Sequence, residues 1–165
     1  MNIDKNEITY RKTGVNDIES IIRYRLEFLK ETDEDYHDED YHNDKKDELV
    51  SNLRDYFRIA IPSNEFICYF AEYDSRILAT GSFIVWHKPP AFHNNNGKLG
   101  YVLNMYTIPE ARRLGICAEI IKIMITEARL MGIKRFSLHA FEAGINVYRN
   151  LGFSEPREPE LVLKI

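Results

Sequence analysis

The stretch Asn104-Met-Tyr-Thr-Ile-Pro-Glu-Ala-Arg-Arg-Leu-Gly-Ile-Cys-Ala118 decides how this chain folds. An apolar strand ends within it, two arginines precede a single glycine, and an apolar helix follows at once. The first N–H groups of a helix have no partner inside the helix, and the helix dipole makes that end positive. The stretch therefore directs free amides and two positive charges at one point, which suits a diphosphate.

Apolar periodicity on both sides of this stretch predicts a mixture of strands and helices. Stripes at helical spacing predict four helices, over residues 16–30, 49–60, 116–131 and 144–151. Asn16 and Glu19 have the spacing of a helix N-cap pair. Alternating or apolar runs predict strands at 8–12, 66–73, 77–86, 99–107, 134–141 and 161–165, with a further short strand near 153–155. The second and third of these strands are separated by a turn and should form a hairpin. We expect one α/β (α+β) domain over residues 1–165, with a mixed central sheet of about six to seven strands flanked by four helices.

Composition restricts the class of protein. With 165 residues, 44% hydrophobic and 29% charged, the chain has the profile of a soluble globular protein. No apolar run approaches the roughly 20 residues that span a bilayer, and the polar N-terminus lacks a signal-peptide core, so no membrane association is expected. Cys68 and Cys117 lack the spacing of a disulfide framework, which favours a reduced, cytoplasmic setting. Basic residues are scattered, so we predict no nucleic-acid partner.

A second motif lies near the C-terminus, where residues 143–153 read Ala-Gly-Ile-Asn-Val-Tyr-Arg-Asn-Leu-Gly-Phe. Together with Arg112-x-x-Gly115-x-Cys117, and in the same order, it resembles the two signatures of the GNAT N-acetyltransferase superfamily. Those signatures are Arg/Gln-x-x-Gly-x-Gly/Ala and Leu-Tyr-x-x-x-Gly-Phe. Cys117 departs from Gly or Ala, although it is also small. The resemblance implies the GNAT fold over nearly the whole chain, with acetyl-CoA as the cosubstrate.

In that family acetyl-CoA lies in a V between the strand before the first motif and the strand after the following helix. The resemblance implies that backbone on the first strand pairs with the pantetheine arm, here at Met105, Tyr106 and Thr107. One of these amides would polarise the thioester carbonyl. It also implies that the loop binds the diphosphate, through Arg112, Arg113, Leu114, Gly115, Ile116, Cys117 and Ala118. Tyr148 matches the tyrosine that protonates the leaving thiolate, a role that suits an uncharged donor.

The sequence does not assign the base that must deprotonate the acceptor amine. Some family members use a glutamate on the strand before the phosphate loop. Its nearest equivalent here is Tyr101, which is not a base. Glu72, His139 and Glu142 are candidates by residue type only. Histidines at strand ends are usually structural, and the helix dipole explains an acidic residue just before a helix. No cysteine has a matching His–Asp set, so we expect direct transfer in a ternary complex.

Acidic residues are concentrated in one segment. Residues 31–48 contain ten acidic residues and two lysines, whereas the rest of the chain contains 16 acidic and 20 basic residues. The segment lacks apolar periodicity, which predicts a loop. In the family this region borders the acceptor site, so the charge would favour a cationic acceptor such as a polyamine, an aminoglycoside or a lysine-bearing peptide. A solvated loop explains the same composition. The spacing fits neither an EF-hand nor a helical zinc pair, and we predict no metal site.

These observations predict an N-acetyltransferase that moves the acetyl group from acetyl-CoA to a primary amine of a small molecule or peptide. Because no base is evident, a CoA-binding sensor or partner-binding protein with the same fold and no turnover is the alternative. The sequence identifies neither the acceptor nor the length of the acyl group. It is compatible with a homodimer but does not determine the oligomeric state.

Overall fold

The structure is a computed structural model that describes residues 3–32, 43–142, 144–157 and 160–163. Within these residues the chain forms five strands and four α-helices, in the order β1 (Thr9–Lys12), α1 (Ile18–Thr32), α2 (Asn43–Ala60), β2 (Phe66–Tyr73), β3 (Arg76–His87), β4 (Lys98–Thr107), α3 (Ile116–Leu130), β5 (Phe136–Ser137) and α4 (Ile145–Asn150). All four predicted helices form. Because α2 begins at Asn43, residues 43–48 of the acidic segment are helical, and the prediction of a loop is wrong there.

The strands form one mixed sheet in the order β1-β2-β3-β4-β5. Neighbouring strands are antiparallel except for β4 and β5, which are parallel. Successive side chains of a strand point to opposite faces of its sheet. Accordingly, the even-numbered residues of β2 from 66 to 70 pack with α1 and α2, while the odd-numbered residues from 67 to 71 pack in the cluster that contains α3. The helices therefore cover both faces of the sheet.

The sheet has fewer strands than the six to seven predicted. The predicted strand at 134–141 forms only as the two-residue β5, and residues 153–155 and 161–163 form no strand. Leu161, Val162 and Leu163 are at least 82% exposed, so this apolar run is not buried. Alternation indicates which residues share a face, but a strand also needs a partner for its backbone hydrogen bonds. The last two residues of the predicted final strand, 164 and 165, lie outside the described residues.

The start of α1 also differs from the prediction. Asn16 lies inside a short 3₁₀ turn and does not form a capping pair with Glu19. Instead, the carboxylate of Asp17 accepts a hydrogen bond from the backbone N–H of Gly14 at 2.8 Å. Glu19 pairs with Arg54 of α2 at 2.6 Å, which joins the two helices on this face of the sheet.

A β-bulge in β4 changes the direction of its later residues. The pairing of β3 with β4 shifts between Thr80 and Ser82, so Asn104 and Met105 both lie opposite Gly81. Asn104 has a φ of 53°, a left-handed conformation that asparagine tolerates better than most residues. A Cβ on Gly81 would lie 2.6 Å from Sδ of Met105, so glycine is required for the Met105 side chain to pack there.

Strands β4 and β5 pair at only two positions, Gly100 with Phe136 and Tyr101 with Ser137. Beyond them, the β4 edge from 102 to 107 has no strand partner among the described residues. The two strands therefore separate and leave a gap between them. We call the two residue pairs where they meet the vertex of the gap. A V-shaped opening at this place is what the family resemblance predicts.

Gly100 is needed for close packing at the vertex. A Cβ there would lie 2.1 Å from a ring carbon of Phe136, so the ring would have to move. We expect Gly100→Ala to lower the free energy of unfolding by about 1–3 kcal/mol, the usual cost of overpacking. Urea denaturation measures this, with Gly14→Ala as the control, because a Cβ on Gly14 meets nothing within 4 Å. Equal losses in the two variants would contradict the packing argument.

Candidate functional site

The loop between β4 and α3 exposes its backbone while two of its side chains anchor it. Ile116 is 2% exposed and Leu114 packs against the main apolar cluster. None of the backbone amides of residues 113–118 donates a hydrogen bond to another described residue. Arg113 and Gly115 have φ angles of 63° and 83°. Left-handed residues in such a turn direct successive amides toward one side, which creates a concavity suited to an anion.

Gly115 leaves the space beside these amides open. A Cβ at this position would meet nothing within 4 Å, and the positive φ would strain any side-chain-bearing residue. A phosphate group could therefore approach the backbone without obstruction. These features fit the predicted diphosphate loop.

The two arginines of the motif have different contacts. Nη2 of Arg112 donates to both carboxylate oxygens of Glu31 at 2.6 and 2.8 Å, and its Nε donates to the carbonyl oxygen of Thr107 at 3.0 Å. Arg113 is exposed, and its side chain has no hydrogen bond or ion pair with any residue in the described part of the chain. Arg112 thus joins α1 to the end of β4, while Arg113 is free to meet a ligand.

The predicted pantetheine-binding residues lie on the part of β4 that pairs with β3 on one edge and has no strand partner among the described residues on the other. Met105 packs toward Gly81, and Tyr106 is 8% exposed with its ring centroid 6.2 Å from that of Tyr24. The carbonyl oxygen of Thr107 accepts a hydrogen bond from Nε of Arg112, so this backbone group of the β4 edge already has a partner. The side chains of Met105 and Tyr106 thus pack against the protein. The backbone of the β4 edge carries the groups that are predicted to pair with the pantetheine arm.

Tyr148 lies on α4, close to Cys117 of α3. Its half-buried ring meets that of Phe153 edge to face, with centroids 5.9 Å apart. Burial raises the pKa of the Tyr148 phenol above its ordinary value, and Cys117 raises it further. The hydroxyl makes no hydrogen bond to a described residue. It is therefore a protonated donor at neutral pH, and its proton is free for a ligand.

Neither cysteine is suited to act as a nucleophile. Burial raises the pKa of both Cys68 and Cys117 to about 11. The thiolate is the reactive form of cysteine, and at neutral pH almost none would be present at either position. This chemistry favours direct transfer over a covalent acetyl-enzyme.

A tyrosine and a histidine meet near the vertex of the gap. The hydroxyl of Tyr101 is hydrogen-bonded to Nδ1 of His139, with ring centroids 5.8 Å apart. Nε2 of His139 lies 3.6 Å from a carboxylate oxygen of Glu160. The sequence singles out Tyr101 and His139 separately, and the structure brings them together. Neither Glu72 nor Glu142 contacts this pair.

Arg25 of α1 is a candidate site residue that the sequence analysis missed. Its Nη1 donates to the side-chain oxygen of Asn104 on the β4 bulge. Its buried Nε has no hydrogen-bond partner in the described part of the chain. The two residues are 79 positions apart, so no local pattern could connect them. The one available signal is a polar Asn104 inside an otherwise apolar strand.

The described residues offer neither a metal cluster nor a membrane span. Among them, no group of three or more His, Cys, Asp or Glu could hold a metal ion. None of their helices is long and apolar enough to cross a bilayer. Residues 33–42, which carry most of the acidic segment and include His37 and His42, lie outside the described residues.

Comparison with known proteins gives the same family from independent information. A family model described as the Acetyltransferase (GNAT) family matches residues 25–153. None of the curated proteins matches the chain. A predicted acetyltransferase from Clostridium acetobutylicum, solved with acetyl-CoA, is 26% identical. That match covers 94% of this chain and 96% of that chain with a TM-score of 0.82.

More distant structures share the fold. A GCN5-related N-acetyltransferase from Ralstonia eutropha JMP134 is 24% identical, with 94% of this chain and 98% of that chain covered and a TM-score of 0.79. Glucosamine-6-phosphate N-acetyltransferase from Arabidopsis thaliana is 16% identical, with 94% and 97% covered and a TM-score of 0.63. Because the family model spans well over half of the residues, this chain belongs to the GNAT acetyltransferase family of acyltransferases.

Proposed function

We propose that this protein transfers the acetyl group of acetyl-CoA to a primary amine by direct attack in a ternary complex. One arrangement carries the proposal. The loop at 113–118, whose backbone amides have no hydrogen-bond partner among the described residues, adjoins the edge of β4 at 102–107 that has no strand partner there. A helix N-terminus binds phosphates, and a strand edge binds an extended chain that carries amides. CoA contains both a diphosphate and such an arm. The 26% identical structure solved with acetyl-CoA supports this choice of donor.

Each part of the site then has a role in binding. The loop amides and Arg113 hold the diphosphate, and the β4 backbone from Met105 to Thr107 pairs with the pantetheine arm. One of these β4 amides faces the thioester carbonyl and stabilises the negative charge that develops on its oxygen. The ion pair of Arg112 with Glu31 holds the end of β4 against α1.

The proton balance assigns two further roles. As the amine nitrogen bonds to the acetyl carbon and the carbon–sulfur bond breaks, Tyr148 gives its proton to the leaving sulfur. Before attack, the proton that the ammonium carries passes to the oxygen of Tyr101, whose own proton moves to Nδ1 of His139. After the nitrogen has bonded to the acetyl carbon, its second proton returns to the oxygen of Tyr148. Glu160 lies close enough to stabilise the imidazolium that forms. The Tyr101–His139 pair thereby supplies the base that the sequence did not identify.

The proposed function is tested by following thiol release from acetyl-CoA over a broad panel of amines, with CoA binding measured in parallel by calorimetry. Turnover with at least one amine, together with the acetylated product by mass spectrometry, supports the transferase. Tight CoA binding without thiol release over the whole panel would overturn it and favour the sensor. The recruitment of a cationic acceptor by the acidic segment stays a prediction, as does a homodimer.

The different contacts of the two motif arginines predict different effects on CoA binding. We expect Arg113→Glu to weaken CoA affinity about tenfold or more, because a charge-assisted hydrogen bond is replaced by repulsion. Arg112→Glu should have the smaller effect, since Glu31 already occupies its guanidinium. Arg129→Glu, at the far end of α3, is the matched control. Unchanged CoA affinity in Arg113→Glu by calorimetry would refute the assignment of the loop.

A further inference from the structure

Arg25 is the one arginine that is partly buried and has no carboxylate partner among the described residues. The remaining arginines are exposed, apart from Arg54, which bonds to Glu19 at 2.6 Å. Arg25 is partly buried and bonds only to the neutral side-chain oxygen of Asn104. In the described part of the chain it forms no ion pair, and its Nε has no acceptor.

An unbalanced cation of this kind is costly. Burial lowers the pKa of Arg25 from its ordinary value, but a guanidinium remains charged at any physiological pH. Removing a charge from water without an opposite charge is strongly unfavourable, and one amide oxygen does not offset it. A guanidinium that lacks a counter-charge in the unliganded protein is suited to bind an anionic group of a ligand.

The position of Arg25 limits which anion this can be. Its partner Asn104 directly precedes Met105, and neighbouring Cα atoms are about 3.8 Å apart. In the proposed function the pantetheine arm runs along β4 from Thr107 to Met105, with the diphosphate beyond Thr107. The thioester therefore lies toward Met105, and Arg25 lies at this reacting end of the site. The diphosphate belongs to the loop at 113–118, past the other end of this strand. The phosphates of CoA are therefore not the partners of Arg25.

We propose that Arg25 binds an oxyanion, a carboxylate or phosphate, that the acceptor carries beside its reacting amine. This inference rests on the proposed function and names its substrate class as amines that carry an oxyanion, in contrast to the purely cationic acceptor that the acidic segment predicts. A guanidinium presents parallel N–H donors that match either oxyanion. Asn104 holds the guanidinium at the bulge, so the oxyanion positions the acceptor amine near the thioester.

The test compares pairs of amines that differ only in the oxyanion. Leucine is paired with 3-methylbutylamine and phenylalanine with 2-phenylethylamine for carboxylates. Phosphoethanolamine is paired with ethanolamine, and glucosamine 6-phosphate with glucosamine, for phosphates. Thiol release gives kcat/KM for wild type, Arg25→Met and Arg23→Met. Arg23 is the matched control, an exposed arginine on the same helix whose guanidinium lies over the Tyr24 ring.

Wild type should prefer the anionic member of at least one pair, and which pairs respond separates carboxylate from phosphate. Arg25→Met should lower kcat/KM for the preferred anionic amine about ten- to a hundredfold, as expected for a lost charged hydrogen bond. Its neutral counterpart should change less than threefold, and Arg23→Met should change neither. A loss shared equally by both members, or a wild-type preference for amines without an oxyanion, would overturn the inference.

A binding measurement separates this inference from the proposed function. The same pairs are added to the CoA-bound protein, and the melting temperature is recorded. Stabilisation by anionic members that is lost in Arg25→Met supports the inference even if no amine is acetylated, in which case the transferase proposal alone fails. Equal stabilisation of wild type and Arg25→Met by every compound would overturn the inference.

Discussion

Replacing Tyr148 with Phe is expected to lower kcat by about 10²–10⁴-fold, the usual contribution of a general acid. The variant keeps the ring that packs against Phe153 and removes only the hydroxyl that would protonate the departing sulfur. Since burial raises the pKa of this phenol, the wild-type hydroxyl stays protonated throughout the pH range in which the protein can be assayed. Because Phe keeps the packed ring, CoA affinity should stay near the wild-type value. The assay uses saturating acetyl-CoA and the best amine found.

The melting temperature of Tyr148→Phe separates the catalytic role from a structural one. The hydroxyl makes no hydrogen bond to a described residue, so its removal should leave stability nearly unchanged. A purely structural hydroxyl would instead cost roughly 0.5–1.5 kcal/mol of stability and leave kcat alone. Near wild-type kcat with a lowered melting temperature would remove Tyr148 from the mechanism.

Replacing either member of the Tyr101–His139 pair should lower kcat about 10²-fold or more near neutral pH, the lower end of the range for a general base. Tyr101→Phe breaks the hydrogen bond through which the proton leaves the amine, and His139→Gln removes its final acceptor. The loss should shrink as pH rises toward the pKa of the amine. At that pH about half of the acceptor is already neutral and needs no base before it attacks.

The double variant tests whether the two residues act in series. If both residues carry the same proton, removing both should lower kcat little more than removing one. The two losses should therefore be far from additive. His87→Gln, an exposed histidine at the end of β3, serves as the control and should have wild-type kinetics. A kcat loss that is constant over the whole pH range would contradict a role in deprotonation.

Short-range patterns in the sequence predicted the elements better than their pairing. The helical stripes located all four helices, because burial of one face repeats within a few residues. The alternation at 134–141 places Phe136 and Leu138 against the main apolar cluster, but Ala140 and Phe141 are exposed. Only Phe136 and Ser137 pair with β4. Where β4 and β5 separate, the later residues lose their backbone partners, and nothing in the alternation signals that divergence.

The candidate site shows the same limit. The predicted phosphate loop is contiguous, so its glycine and arginines could be recognised in the sequence. The contacts that surround it are long-range, since Arg112 meets Glu31 across 81 positions and Arg25 meets Asn104 across 79. Each depends on how α1 lies against the sheet. A bulge that places Asn104 in a left-handed conformation is likewise set by strand register, which no local spacing reveals.

The open edge of β4 has a thermodynamic consequence. Its backbone amides exchange with solvent more freely than those paired to β3, and a ligand that pairs with them acts as an additional strand. Binding and folding are then linked, so the protein should become more stable by RT ln(1 + [L]/Kd) as the cofactor concentration rises. Hydrogen exchange should slow at residues 105–107 when CoA is added and change little in β1 and β2. In this proposal the pantetheine arm completes the sheet, and the thioester at its end supplies the acetyl group.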